Sequence, residues 1–244
     1  MDKNILLKSS VYISLAVQVI TGIVGAHGFT FKLPKENMML KDINIMEFIV
    51  QVVEFIFYIY ISMAVLKVSG ITPRRYFDWN ITTPIMLIST IMFYTYKHEQ
   101  IKQQKLLDEE QITKEQKQEH MTNIRLWSIF KKEKQTIIII VLFNFLMLLF
   151  GLLGEMGYMN LYLSNILGFI CFGVVFYYVY LYAKKCNDVE CMRLFYFFLI
   201  VWSLYGVAQL LGVIKKNIMY NYLDVVAKNF YGLFIYYKLR QVKI

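Results

Sequence analysis

Apolar stretches of about twenty residues recur seven times along the chain, at 9–31, 43–66, 75–96, 135–154, 157–183, 192–214 and 217–238. Each is long enough to cross the ~30 Å hydrocarbon layer of a bilayer as a helix. The short segments of alternating polarity that a membrane barrel requires do not occur. The pattern predicts an all-α membrane protein, a single seven-helix bundle over residues 1–244. The first run, 23 residues long, exceeds a typical signal core and lacks a small-x-small cleavage site, so it reads as a span. A polar stretch, 97–134, separates the third and fourth spans. Within it Met121, Ile124, Trp127 and Phe130 recur every three residues among basic neighbours. That spacing predicts a helix lying on the membrane surface or an extension of the fourth span.

Polar residues that interrupt the spans carry the information about function. Between Lys216 and Lys238 lie 21 residues whose only charges are Asp224 and Lys228. Four residues apart on a helix, carboxylate and amine share one face. Charge at that depth costs several kcal/mol unless it is paired or functional. The pair is either working chemistry or a self-neutralising contact that holds helices together. In the second span Gln51 lies about 40° from Glu47 around the helix, and Glu54 about 20° from it on the other side. The three form one polar stripe, which must face the bundle interior or a water-filled path, although Glu47 alone also fits an interfacial position. In the third span Arg75, Asp78 and Thr82 occupy one face at i, i+3 and i+7. A cation, an acid and a hydroxyl aligned in this way can hold, receive and stabilise a proton.

Composition narrows the class. With 58% hydrophobic and 17% aromatic residues, the chain is too apolar for a soluble domain of its length. Its formal charge of +9 is dispersed over the membrane-flanking segments, which favours anionic lipid over nucleic acid as a partner. Of the 26 Lys and Arg, 18 fall on the side holding the 97–134 loop and the C-terminus, and seven on the other. The positive-inside rule then predicts an N-terminus outside and a C-terminus in the cytoplasm. Cys171, Cys186 and Cys191 read as free thiols, and three scattered histidines give no metal site.

The segment Arg75-Tyr-x-Asp-Trp-x-x-Thr-Thr-Pro84 resembles the third-helix signature of the microbial rhodopsins, and Asp224-x-x-x-Lys228 resembles their retinal-attachment motif. The resemblance extends over all seven spans. It implies a single retinal-binding domain, not an enzyme, with all-trans retinal held covalently by Lys228 as a protonated Schiff base. Asp78 would be the counterion and proton acceptor, Asp224 a second counterion, and Arg75 and Thr82 would support them. Trp79, Thr83, Met86, Asn144, Met147, Gly151, Trp202, Tyr205 and Ala227 would border the chromophore. Met86, at the colour-tuning position, implies green absorption. The family also forms trimers and pentamers, so a homo-oligomer is among its implications.

Departures from the family pattern bear on mechanism. Ser89 stands where proton pumps carry a carboxylic donor, and a serine hydroxyl does not supply a proton at neutral pH. Reprotonation is therefore expected to be slow and drawn from solvent. Gly206 stands where many relatives have proline, which bears on the motion of the sixth helix. The Asp78, Thr82, Ser89 combination, together with the Glu47, Gln51 and Glu54 stripe, looks most like the viral rhodopsins of large algal viruses. The resemblance implies light-driven transport of protons or small cations across the plasma membrane or another host-cell membrane. Outward proton pumping is the first expectation. A light-gated cation channel along the second-span stripe is the alternative, and a sensory protein, needing a separate transducer, ranks below both.

Overall fold

In the computed structural model, which describes residues 3–64 and 71–244, the chain is almost entirely helical. The expected end of the second span at 65–66 and the connection at 67–70 lie outside the described residues. The order is α1 (Lys3–His27), α2 (Met38–Ala64), α3 (Ile71–Asp108), α4 (Lys114–Thr122), α5 (Leu126–Lys132), α6 (Lys134–Glu155), α7 (Leu161–Cys186), α8 (Val189–Gln209), α9 (Val213–Asp224) and α10 (Phe230–Val242). A π-helical turn, Val225–Asn229, joins α9 to α10, so these two form one interrupted pass.

The long helices close into a ring in which α1, α2, α3, α6, α7, α8 and the α9–α10 pass each touch the next, and the last returns to α1. Large apolar side chains point outward, among them Ile20, Ile23, Ile56, Ile170 and Ile200. Charged and amide side chains point inward, including Glu47, Glu54, Arg75, Asp78, Asp224 and Lys228. This arrangement suits lipid as the surrounding solvent, because a polar group facing hydrocarbon finds no partner. Among the described residues, five helices (α1, α2, α6, α7 and α8) are long and apolar enough to cross a membrane. The other two passes, α3 and α9–α10, are more polar and carry Arg75, Asp78, Asp224 and Lys228.

Local chemistry sets the element ends. Asn160 caps α7 by accepting from the backbone N–H of Tyr162 and Leu163, and Asp188 caps α8 by accepting from Glu190. Asn187, at φ 53°, provides the left-handed residue that stops α7. The turn that these residues make brings Cys186 and Cys191 together, and the two are disulfide-bonded, with only Cys171 free. The reading of all three as free thiols is thereby corrected.

The stretch 97–134 is more ordered than expected. α3 continues twelve residues beyond the expected end at Tyr96, to Asp108. Its Lys, Gln, Leu and Glu content favours helix outside a membrane as well as inside one. The Met121 to Phe130 repeat does not form one helix. It is divided between α4 and α5, with Met121 and Ile129 buried and Trp127 exposed. α5 leads into α6 through a single break at Glu133. Arg125 anchors the region by a two-pronged contact to Asp42 at the start of α2, with both N–O distances 2.7 Å.

Candidate functional site

The site is centred on the Lys228 amine, which the π turn carries into the middle of the bundle. A π turn widens the helix by one residue, and such turns concentrate at functional positions. Lys228 Nζ donates to Asp78 Oδ2 at 2.6 Å. Glu54 Oε1 and Asp224 Oδ1 each lie 3.4 Å from it. Oxygens of the three carboxylates fall within 4.8 Å of one another, a cage that would suit a cation, and the lysine ammonium takes that place. Three helices thus contribute one acid each: Glu54 from α2, Asp78 from α3 and Asp224 from α9.

Asp224 is the most heavily bonded of the three. It accepts from Arg75 Nη1 at 3.1 Å, Tyr58 at 2.9 Å, Tyr205 at 2.9 Å and Trp79 Nε1 at 3.2 Å. By contrast, Asp78 Oδ1 and both Glu54 oxygens are buried without a hydrogen-bond partner. Asp224 is therefore fixed in place, while Asp78 and Glu54 keep capacity to accept.

Arg75 is fully buried and uses every arm of its guanidinium. Nε donates to Asn217 at 3.2 Å, Nη1 reaches Tyr58 and Asp224, and Nη2 bonds Asn221. The rings of Tyr58 and Tyr220 lie 5.7 and 5.8 Å from its centre. Tyr58, Asn217, Asn221 and Tyr220 were not anticipated as site residues. A signal was present, since Asn217, Asn221, Asp224 and Lys228 recur at i, i+4, i+7 and i+11 on one face of the last span. The Thr82 hydroxyl, on the same face of α3, donates to the Asp78 backbone carbonyl at 2.9 Å.

An apolar cavity with about 750 Å³ of empty space, its open mouth included, runs from Lys228 between α3, α6, α7 and α8. Trp79, Thr83, Met86, Met147, Gly151, Trp202, Tyr205 and Ala227 line it. Asn144 stands behind that lining and donates to Thr83 Oγ1 at 2.8 Å. Tyr76, Leu148, Phe169, Phe172 and Gly206 also line the cavity and were not anticipated. Two glycines keep it open. A Cβ on Gly151 would stand 2.8 Å from the Tyr76 hydroxyl, and one on Gly206 2.6 Å from the Phe169 ring. A long, apolar, aromatic-walled space ending at a buried amine fits a polyene aldehyde.

The second-span stripe faces inward along its whole length but does not act as one group. Glu54 belongs to the carboxylate cage. Gln51 Oε1 accepts from Thr21 at 3.0 Å and from Asn229 at 2.7 Å. Glu47, one turn farther toward the C-terminal end of the bundle, contacts Ser89 Oγ at 2.5 Å.

Residues 9–242 match the family described as bacteriorhodopsin-like protein. No curated protein matches the sequence significantly. Among solved structures, the chain is similar to the viral rhodopsin OLPVRII, at 24% identity over 98% of this chain and 100% of that one, with a TM-score of 0.73. It is also similar to Exiguobacterium sibiricum rhodopsin, at 15% identity over 99% and 98% with a TM-score of 0.71. Blue light-absorbing proteorhodopsin from Med12 matches at 17% identity over 97% and 99%, with a TM-score of 0.70. With a family match over nearly its whole length, a buried lysine in a carboxylate cage and a polyene-shaped cavity beside it, the chain belongs to the microbial rhodopsins, the bacteriorhodopsin-like family of retinal-based transporters and photoreceptors.

Proposed function

We propose that the chain is a light-driven outward proton pump in which Asp78 accepts the proton carried by the Lys228 nitrogen. The observation that carries this reading is the 2.6 Å contact between Lys228 Nζ and Asp78 Oδ2, made inside a buried site. Retinal attached at Lys228, in the all-trans form, would supply light absorption and a change of shape that redirects that nitrogen. The chain's own residues do the rest.

Asp78 has a free oxygen and a direct contact to the nitrogen, so it is placed to take the proton without rearrangement. Asp224, held by four donors and paired with Arg75, stays a fixed negative charge that stabilises the cation before transfer. Glu54 adds a third carboxylate to the same cage. Beyond Asp224, a chain of buried polar groups (Arg75, Asn221, Asn217 and Ser10) leads toward the end of the bundle that carries the N-terminus. The excess of basic residues at the other end supports an exit on the outer side of the membrane. The apolar wall of the cavity excludes water from the nitrogen until the shape change has occurred.

A second reading, a light-gated cation channel, is favoured by another observation. Both amide atoms of Gln18, Gln51 Nε2, both oxygens of Glu54 and Asn229 Oδ1 are buried without partners along α1, α2 and the π turn. A row of unsatisfied polar atoms is where water and ions would pass.

Photocurrent against voltage, with retinal present and equal solutions on both sides, separates the two readings. A pump gives outward current at zero voltage that does not reverse within the accessible range. Current that vanishes at zero and changes sign with the driving force would overturn the pump and support the channel. Lys228→Ala is expected to give neither current nor a visible absorption band.

A further inference from the structure

Rings and aliphatic side chains wall most of the cavity beside Lys228, but two amides share that wall. Asn165 of α7 and Gln209 of α8 also line it, and both are buried, at 9% and 5% exposure. A pure hydrocarbon packed against them would give an amide nothing to bond, and a buried polar group without a partner is costly.

The hydrogens of the two amides can be counted. Asn165 Nδ2 donates to the Gly206 carbonyl and to Gln209 Oε1, both at 2.9 Å. Gln209 Nε2 donates to the Gly151 carbonyl at 3.0 Å. Main-chain carbonyls only accept, so Gly206 and Gly151 fix which way round each amide stands. Asn165 has then used both of its hydrogens, and Gln209 has used one hydrogen and its oxygen. Among the described residues, Asn165 Oδ1 accepts from no donor and the second Gln209 Nε2 hydrogen reaches no acceptor. One acceptor and one donor are left on two side chains that are bonded to each other. A hydroxyl, which gives one hydrogen and accepts another, matches that pair. A ketone matches only the donor, and a bare hydrocarbon ring matches neither.

The amides stand at the end of the cavity remote from the amine. Lys228 lies on the last pass, which packs chiefly against α1, α2 and α8, whereas Asn165 and Gly151 belong to α7 and α6 across the bundle. Phe169, one turn after Asn165, lines the cavity, lies against Gly206 of α8 and is also 37% exposed. This end therefore reaches the outer face of the bundle between α7 and α8, where a ring substituent has room. A polyene held by its aldehyde carbon at Lys228 turns its ring toward Asn165 and Gln209.

We propose that the cavity selects a ring-hydroxylated polyene aldehyde, a retinal carrying an alcohol on its ring, with Asn165 Oδ1 accepting from that hydroxyl and Gln209 Nε2 donating to it. The assignment rests on the reading of Lys228 as the point of attachment. The bond there forms as for the unsubstituted aldehyde, amine and carbonyl joining with loss of one water. Asn165 and Gln209 act on selection: an aldehyde without the hydroxyl leaves both amides unmatched, and a site built to bond a hydroxyl discriminates against the analogue that lacks it.

A competition tests this. Retinal-free parent protein is given equal amounts of all-trans retinal and its 3-hydroxy or 4-hydroxy form, and the aldehydes recovered from the washed pigment are separated and quantified. At least one hydroxy form should exceed retinal by about tenfold or more. The 4-oxo form, which can only accept, should fall between them. Asn165→Leu should bring the ratio of hydroxy form to retinal close to one, and Gln209→Leu should lower it. Each variant is judged by a ratio within one mixture, so a loss of folded protein does not imitate the result. Equal uptake of retinal and both hydroxy forms by the parent overturns the proposal and leaves the Lys228 reading standing, with water as the partner of the amides. No pigment from any of these aldehydes overturns both. A preference that persists in both leucine variants overturns the roles of Asn165 and Gln209.

Discussion

The three carboxylates around Lys228 are chemically alike, and their surroundings give them different work. Asp78 makes the hydrogen bond at 2.6 Å, Asp224 is saturated by donors, and Glu54 lies 3.4 Å away with no hydrogen bond to either oxygen. The Coulomb attractions at 2.6 and 3.4 Å differ only by about a quarter, so charge alone does not rank Asp78 above Glu54. The hydrogen bond does, because a proton moves along it. Asp78→Asn should therefore slow the first proton transfer by roughly 10²-fold or more and move the absorption to longer wavelength, as expected when a general base and a counterion are lost together. Glu54→Gln should move the absorption in the same direction by less and keep the transfer rate within about tenfold of the parent. Absorption spectra and flash photolysis of the two variants check both statements. Equal loss of transfer in both would make the cage a single acceptor and refute the ranking. The channel reading adds a separate expectation for Glu54→Gln, a large loss of conductance.

At the scale of the helices, packing decides where the sequence signals come to rest. The close approach of α8 to α7 is set by Gly206, whose carbonyl accepts from Asn165 and whose missing Cβ leaves room for the Phe169 ring. Gly206→Ala should push that ring into the cavity at a cost of roughly 1–3 kcal/mol and lower both pigment yield and resistance to thermal bleaching. Gly173, on the same helix as Phe169, has nothing within 4 Å of its Cβ position. Gly173→Ala should leave pigment yield unchanged and add about 0.5–1 kcal/mol of helix stability. Thermal bleaching of both pigments is the check, and equal loss in the two would show that the cavity is not what Gly206 protects. The sequence allowed part of this level to be read. Periodicity placed Arg75 with Asp78, joined Glu47, Gln51 and Glu54 into one inward stripe, and put Asp224 beside Lys228. It was silent on contacts between helices, because Glu54 with Lys228 and Glu47 with Ser89 depend on the relative depth of α2 against α3 and the last pass. The π turn left no mark in residue types, and the continuation of α3 to Asp108 was hidden because charged helix formers also read as a polar loop.

The whole molecule is polarised along its axis. Toward the N-terminal end, the buried interior is a continuous polar network built on Arg75, Asn217, Asn221, Tyr58 and Asp224. Toward the other end, the interior is apolar, with Met86 and Trp202 lining the cavity that holds Lys228 and, with Phe198, the wall of a smaller one. A second, smaller cavity lies in this region, bounded by Met86, Leu87, Thr90, Phe176, Phe198 and Trp202. An apolar void of this kind stays dry, because water there would find too few partners. A proton leaving Lys228 thus has a path ready, and a proton returning must wait for water to enter. The slow step of the cycle should therefore be the return, and it should depend on the volume of the apolar half. Phe198 lines the small cavity and packs edge-on against Tyr231, with ring centroids 4.9 Å apart, and the Tyr231 hydroxyl in turn lies 3.5 Å from Ser89 Oγ. Phe198→Leu removes part of that wall for roughly 1–3 kcal/mol of packing, less than truncation to alanine would cost. It should speed the return of the proton severalfold while leaving the initial transfer to Asp78 unchanged. Flash photolysis of the Phe198→Leu pigment checks both rates, since widening the path should act only on the step that waits for water. An unchanged return in Phe198→Leu would show that the volume of the apolar half does not set the slow step.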